Sequence, residues 1–132
     1  MKKKILIIED DSMLQSALIE WLSKEGYDVQ GSPSVEDAFV QIENLKPDVI
    51  LTDLIMVDLD GFEVLKRVKE NKNLSDVLVI VMSNSGQDTD VEKAILLGAK
   101  DFLLKSDLSL KDLVKRVNKV ITESETKSKK KH

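Results

Sequence analysis

The segment DVILTDLIMVDLDG, residues 48–61, sets the frame for the rest of the chain. Val49 to Thr52 is an apolar run of strand length. A carboxylate, Asp53, follows at once, and then more apolar residues, Leu54, Ile55 and Met56. A strand with no polar alternation is buried on both faces, which is the mark of a parallel sheet covered by helices. An isolated carboxylate between apolar segments is costly unless something pairs with it. In open parallel sheets ligands bind beyond the carboxyl ends of the strands, and that is where Asp53 falls.

Working outward, similar runs recur: KILII (4–8), YDVQ (27–30), VLVIVM (77–82) and DFLL (101–104). Stretches of helical period lie between them. Leu14, Ala17, Leu18, Trp21 and Leu22 form one stripe, closed by Gly26. Val35, Ala38, Phe39 and Ile42 form the second, with Ser34 and Asp37 at capping-box spacing and Pro47 beyond its end. Phe62, Leu65 and Val68 form the third, with Asp60 as its expected cap. Val91, Ala94 and Ile95 form the fourth, before Gly98. Leu110, Leu113, Val114, Val117 and Ile121 form the fifth, with Ser109 and Asp112 at capping spacing. The pattern is a strand and a helix repeated five times. It predicts an α/β fold of the flavodoxin-like, doubly wound kind: one five-stranded parallel sheet, strand order 2-1-3-4-5, with helices on both faces. Residues 1–122 are expected to form the domain. Residues 123–132, ESETKSKKKH, read as a flexible basic tail.

Composition narrows the function. The chain has 132 residues, 42% hydrophobic and 33% charged, with formal net charge -4. That length suits a single core. Four lysines sit in the last six residues, so residues 1–126 carry 16 basic against 24 acidic side chains. An acidic body of this kind argues against nucleic acid as a partner. The chain has no cysteine, which excludes disulfides and thiolate metal sites and fits a cytoplasmic location. MKKKILII stops at EDD, far short of a signal peptide, and VLVIVM is too short to span a bilayer, so no membrane insertion is expected.

The residues that follow each strand carry the chemistry. Glu9 and Asp10, with Asp11 behind them, follow the first strand; Asp53 the third; Ser83 the fourth; Lys105 the fifth. In the 2-1-3-4-5 order these groups converge at one edge. Two unit charges ~4 Å apart repel by roughly 4 kcal/mol at an effective dielectric of 20. One lysine cannot offset several carboxylates, whereas a hard divalent cation with oxygen ligands can, and Mg²⁺ (or Mn²⁺) suits this donor set. Asp53, alone and central, is the best placed nucleophile toward a phosphoryl group. Glu9 and Asp10 are better suited to holding metal, and Lys105 and Ser83 to contacting phosphoryl oxygens. Asp58 and Asp60 read as turn and cap residues, and His132 as part of the tail.

ILIIEDD, DVILTDLIM with DG downstream, VIVMSNSG and GAKDFLLK together resemble the receiver domain of two-component response regulators, over about residues 3–122. The resemblance implies that Asp53 is the phosphoacceptor. Asp10 would bind Mg²⁺ directly and Glu9 through water, and the backbone carbonyl of Ile55 would complete the metal site with Asp53. Ser83 would be the switch hydroxyl, Lys105 the phosphate-contacting lysine and Phe102 the switch aromatic, while Asp11 would not be a ligand. The implied partners are a sensor histidine kinase or phosphotransfer protein and a downstream protein. The output would lie on the face formed by the fourth helix, fifth strand and fifth helix of a monomer or weak dimer. Beyond its own phosphorylation and dephosphorylation, no enzymatic turnover is implied.

Two positions depart from the family. Val57 stands where a proline is usual four residues after the phosphoacceptor, leaving that loop less rigid. Ser106 stands where a cis-proline is usual after the lysine. A non-proline cis bond costs roughly 3–4 kcal/mol, so a trans bond is expected. These departures support an alternative, a receiver-like interaction module that no longer takes phosphate. An aspartyl phosphatase would want a second acid where Ile55 stands, and a mononucleotide binder would want a Ser/Thr/Gly-rich first loop rather than EDDSM.

Overall fold

The computed structural model describes residues 2–54, 61–84, 87–106 and 108–130, with backbone alone for 127–130. Five strands alternate with five helices: β1 (Lys4–Ile8), α1 (Ser12–Lys24), β2 (Asp28–Ser32), α2 (Val35–Leu45), β3 (Val49–Asp53), α3 (Gly61–Glu70), β4 (Leu78–Ser83), α4 (Asp88–Leu96), β5 (Asp101–Leu104) and α5 (Leu110–Lys130). A short 3₁₀ turn, Lys72–Leu74, precedes β4. The strands form one parallel sheet in the order β2-β1-β3-β4-β5. This is the expected topology.

Alternation along each strand divides the core in two, because successive side chains point to opposite faces. Leu6, Ile8, Ile50, Val79 and Val81 pack under α2, α3 and α4, against Val35, Ala38, Ile42, Val64, Leu65 and Ala94. Ile5, Ile7, Val49, Leu51, Ile80, Met82 and Leu103 pack under α1 and α5, against Leu18, Leu22, Leu113, Val114, Val117 and Ile121. β1 and β3 therefore have apolar residues at consecutive positions, which is why both read as unbroken apolar runs.

Local signals set the helix ends. The Asp11 carboxylate caps α1, accepting from the N–H groups of Met13 and Leu14 at 3.0 and 3.2 Å. Ser34 Oγ accepts from Asp37 N at the start of α2, and Ser109 Oγ from Asp112 N at the start of α5, both at 3.1 Å. Lys46, at φ 50°, ends α2 in the left-handed region just before Pro47. The expected cap Asp60 and the departure Val57 lie outside the described residues.

Four details differ from the sequence reading. Trp21, placed in the apolar stripe of the first helix, is 39% exposed, and Leu18 and Leu22 are the buried residues of that helix. β2 runs from Asp28 to Ser32 rather than from Tyr27 to Gln30. Ile95, placed in the apolar stripe of the fourth helix, is 49% exposed, and Ala94 is the buried residue of that helix. Residues 123–130, read as flexible, continue α5 as helix to Lys130. That extension has no apolar stripe to announce it. It carries i,i+4 pairing of Lys119 with Glu123, an ion pair of Lys3 with Glu125 and a bond from Thr126 Oγ1 to the Thr122 carbonyl.

Candidate phosphoacceptor and metal site

Parallel strands end together, so the residues that follow them are brought side by side. Register places Ile8 opposite Thr52 and Asp53 opposite Met82, which puts Glu9, Asp53 and Ser83 at the carboxyl edge of three adjacent strands. Carboxylate oxygens of Glu9, Asp10 and Asp53 all lie within 4.8 Å of one another. Glu9 and Asp53 are buried, at 1% and 7% exposure, and Asp10 is exposed.

Lys105 closes the cluster from β5. Its Nζ donates to Asp53 Oδ2 at 3.1 Å and to Glu9 Oε1 at 2.5 Å. Its backbone N–H donates to the Ser83 carbonyl at 2.8 Å, which fixes the lysine beside the end of β4. The Lys105–Ser106 peptide is trans, as expected from the absence of proline. Burial pushes the Glu9 carboxyl up to about 7, with Asp53 adding to the rise and the Lys105 ammonium opposing it. Burial works against the Lys105 ammonium, but its bonds to Glu9 and Asp53 outweigh that and hold it above the ordinary lysine value.

Three oxygen donors of this kind fit a hard divalent cation. Mg²⁺ takes one or two carboxylates directly and keeps several waters, so an exposed Asp10 beside two buried carboxylates suits it. Ser83, 2% exposed, ends β4 within the same edge. Phe102 is half-buried on β5, opposite Val81, and packs against the α2–α3–α4 side of the core. The Asp11 carboxylate is taken up in capping α1. Ile55 lies outside the described residues.

Several contributors were not singled out from sequence. Gly61 opens α3 directly against Asp53. A Cβ there would lie 2.5 Å from the Asp53 carbonyl oxygen and 2.7 Å from Leu54 Cα. The glycine of the DG pair thus allows α3 to start against the chain carrying Asp53, and its N–H donates to the Leu54 carbonyl. Thr52 Oγ1 donates to the Asp53 carbonyl at 3.0 Å. Gln15 reaches from α1 to the backbone of the acidic loop. Lys105 also borders a cavity of about 280 Å³ walled by Leu14, Leu108 and Leu113. A larger one, about 660 Å³, lies at the amino end of the strands beside Pro47 and Asp48. Charge and convergence, not cavity size, locate the site.

The response regulator receiver domain family matches residues 5–118, and the chain belongs to that family. The chemotaxis protein CheY of Thermotoga maritima is 33% identical over 80% of this chain and 87% of its own length. The alkaline phosphatase synthesis transcriptional regulatory protein PhoP of Bacillus subtilis is 31% identical over 95% of this chain. The chain spans about half the length of that relative and of others like it. The signal receiver domain of a putative Luxo repressor protein from Vibrio parahaemolyticus superposes with a TM-score of 0.87, at 26% identity, over 97% of this chain and 96% of its own. The acidic cluster with its bridging lysine matches the phospho-accepting site of that family and could hold a divalent cation.

Proposed function

We propose that Asp53 accepts a phosphoryl group in a Mg²⁺-dependent reaction, from a phosphohistidine on a sensor histidine kinase or phosphotransfer protein. An Asp53 carboxylate oxygen bonds to phosphorus as the phosphorus–nitrogen bond breaks, and the departing imidazole takes up a proton. The observation that carries this reading is the junction of Glu9, Asp10 and Asp53 within 4.8 Å, with one ammonium bonded to two of them.

Mg²⁺ held by Glu9, Asp10, Asp53 and the Ile55 carbonyl would supply positive charge to the phosphoryl oxygens. Mn²⁺ meets the same donor requirements. Lys105 contributes a second positive charge, already positioned at Asp53, so little reorganisation precedes reaction. Ser83 donates its hydroxyl to a phosphoryl oxygen, and Phe102 turns inward as that hydroxyl moves. The added charge shifts the equilibrium of the α4–β5–α5 face, which then binds a downstream protein. The chain acts as a monomer or weak dimer.

The test is incubation with Mg²⁺ and a small acyl phosphate, read by intact mass. One added phosphoryl group is expected on the wild type and none on Asp53→Asn. Val57 and Ser106 in place of prolines favour a second reading, a domain that binds partners without taking phosphate. No phosphoryl gain on the wild type at saturating Mg²⁺ would establish that second reading.

A further inference from the structure

We infer that Gln15 is a positioning residue for the metal-binding loop, and that Gly31 is glycine to make room for it. The inference rests on Glu9 and Asp10 being metal ligands. Gln15 lies in the first turns of α1, on the side facing β2. Its Nε2 donates to the Glu9 carbonyl at 3.0 Å and to the Ser32 carbonyl at 2.9 Å. The Ser32 carbonyl also accepts from Glu9 N at 3.0 Å. One side-chain amide thus ties the end of β1 to the end of β2, from a helix whose own start is capped by Asp11.

The consequence for the site comes from peptide planarity. The Glu9 carbonyl belongs to the peptide unit that joins Glu9 to Asp10. Those atoms lie in one plane, so holding the oxygen holds Asp10 Cα. The Glu9 N–H is fixed by Ser32, its carbonyl by Gln15, and its carboxylate by Lys105. Asp10 is exposed, and among the described residues no hydrogen bond anchors its side chain, so the orientation of its backbone decides where its carboxylate points. Partners that orient metal ligands from behind commonly set affinity by tenfold or more.

Gly31 supplies an independent line. Its φ is not in the left-handed region, so no backbone requirement calls for glycine there. A Cβ at residue 31 would instead meet Gln15 Cδ at 2.5 Å, Oε1 at 2.6 Å and Cγ at 2.9 Å. An alanine would displace the far end of a flexible side chain and leave the sheet intact. Gly31→Ala and Gln15→Met, which keeps the length but removes the donor, should therefore produce the same defect by two routes.

The experiment is a Mg²⁺ titration of the full chain, following the rise of the thermal midpoint by circular dichroism, with the metal-free midpoint recorded separately. Gln15→Met and Gly31→Ala should each need about tenfold more Mg²⁺ for half of the stabilisation. The double variant should be no worse than either single one, because both remove the same bonds. At saturating Mg²⁺ all three should take up the phosphoryl group at the wild-type rate, since the defect is in binding. A lowered metal-free midpoint with an unchanged Mg²⁺ requirement would reduce Gln15 to a structural residue and overturn the proposal. So would additive losses in the double variant, a slow rate that persists at saturating Mg²⁺, or an unfolded Gln15→Met beside a Gly31→Ala of normal affinity. A wild type that gains no stability from Mg²⁺ would overturn the metal site itself, a distinct failure.

Discussion

Glu9 shows how much one residue can hold in tension. Its carboxyl is pushed up to about 7 by burial and by Asp53, against the pull of Lys105. The folded chain therefore holds this proton more tightly than the unfolded chain, whose glutamate keeps the ordinary value of 4.5. The stabilisation from this group is fully present below 4.5 and is lost as pH rises through about 7. Metal binding needs the ionised form, so Mg²⁺ affinity should rise across the same window. Without Mg²⁺, the thermal midpoint of the wild type should fall more between those pH values than that of Glu9→Gln. With saturating Mg²⁺ the wild-type decline should flatten. Parallel curves for the two proteins in metal-free buffer would mean that Glu9 titrates as an ordinary glutamate.

Residue-level legibility followed a simple rule. Glu9, Asp10, Asp53, Ser83 and Lys105 could be found because each follows an apolar strand and parallel strands end together. Gln15 and Gly31 could not. A glutamine on a helix is ordinary, and its bonds exist only once β2 lies beside β1. Gly61 was visible as half of a DG pair, but its closeness to Asp53 is a tertiary fact.

Among the elements, α5 departs furthest from its pattern. Its apolar stripe ends at Ile121, and no periodicity carries the helix onward to Lys130. What the extension does contribute is charge. Tyr27, the chain's sole tyrosine, sits before β2, and its hydroxyl donates to Asn118 of α5. Burial raises its pKa first, and Glu25 and Glu125 add to the rise. Because Glu125 lies in the extension, the tyrosine reports on it. Absorbance titration of tyrosinate should give a wild-type midpoint above the ordinary 10.0, and Glu125→Gln should bring it down. The sign for stability follows. The folded chain keeps the phenol proton longer, so this contribution is present below 10.0 and lost as pH rises toward the folded value. A midpoint unmoved by Glu125→Gln would place the end of α5 away from Tyr27 in solution. α4 shows the opposite case. Its Ile95 fits an apolar stripe by spacing, yet the helix buries only Ala94 and rests its Lys93 ammonium 4.2 Å from the Phe62 ring of α3.

At the scale of the whole molecule, one sheet serves two cores. The α2–α3–α4 layer and the α1–α5 layer each pack on their own set of alternate residues from the same strands. Either layer could loosen alone only if the sheet stayed folded with one face bare. The strands forbid that, because Leu51 and Ile50 are adjacent in β3, both at 0% exposure, and face opposite layers. The two layers should therefore unfold in a single cooperative transition. Leu51→Ala provides the test, since it removes packing from the α1–α5 side alone. It should cost about 3 kcal/mol, the usual range for a buried leucine. Trp21, 39% exposed on α1, reports that helix by fluorescence, while far-ultraviolet circular dichroism reports all the helices. In denaturant the two probes should give coincident curves for both wild type and variant, shifted together by the substitution. If fluorescence moved to lower denaturant while the helical signal stayed behind, the layers would be separable. Asp53, which ends β3 between them, would then be held by one layer at a time.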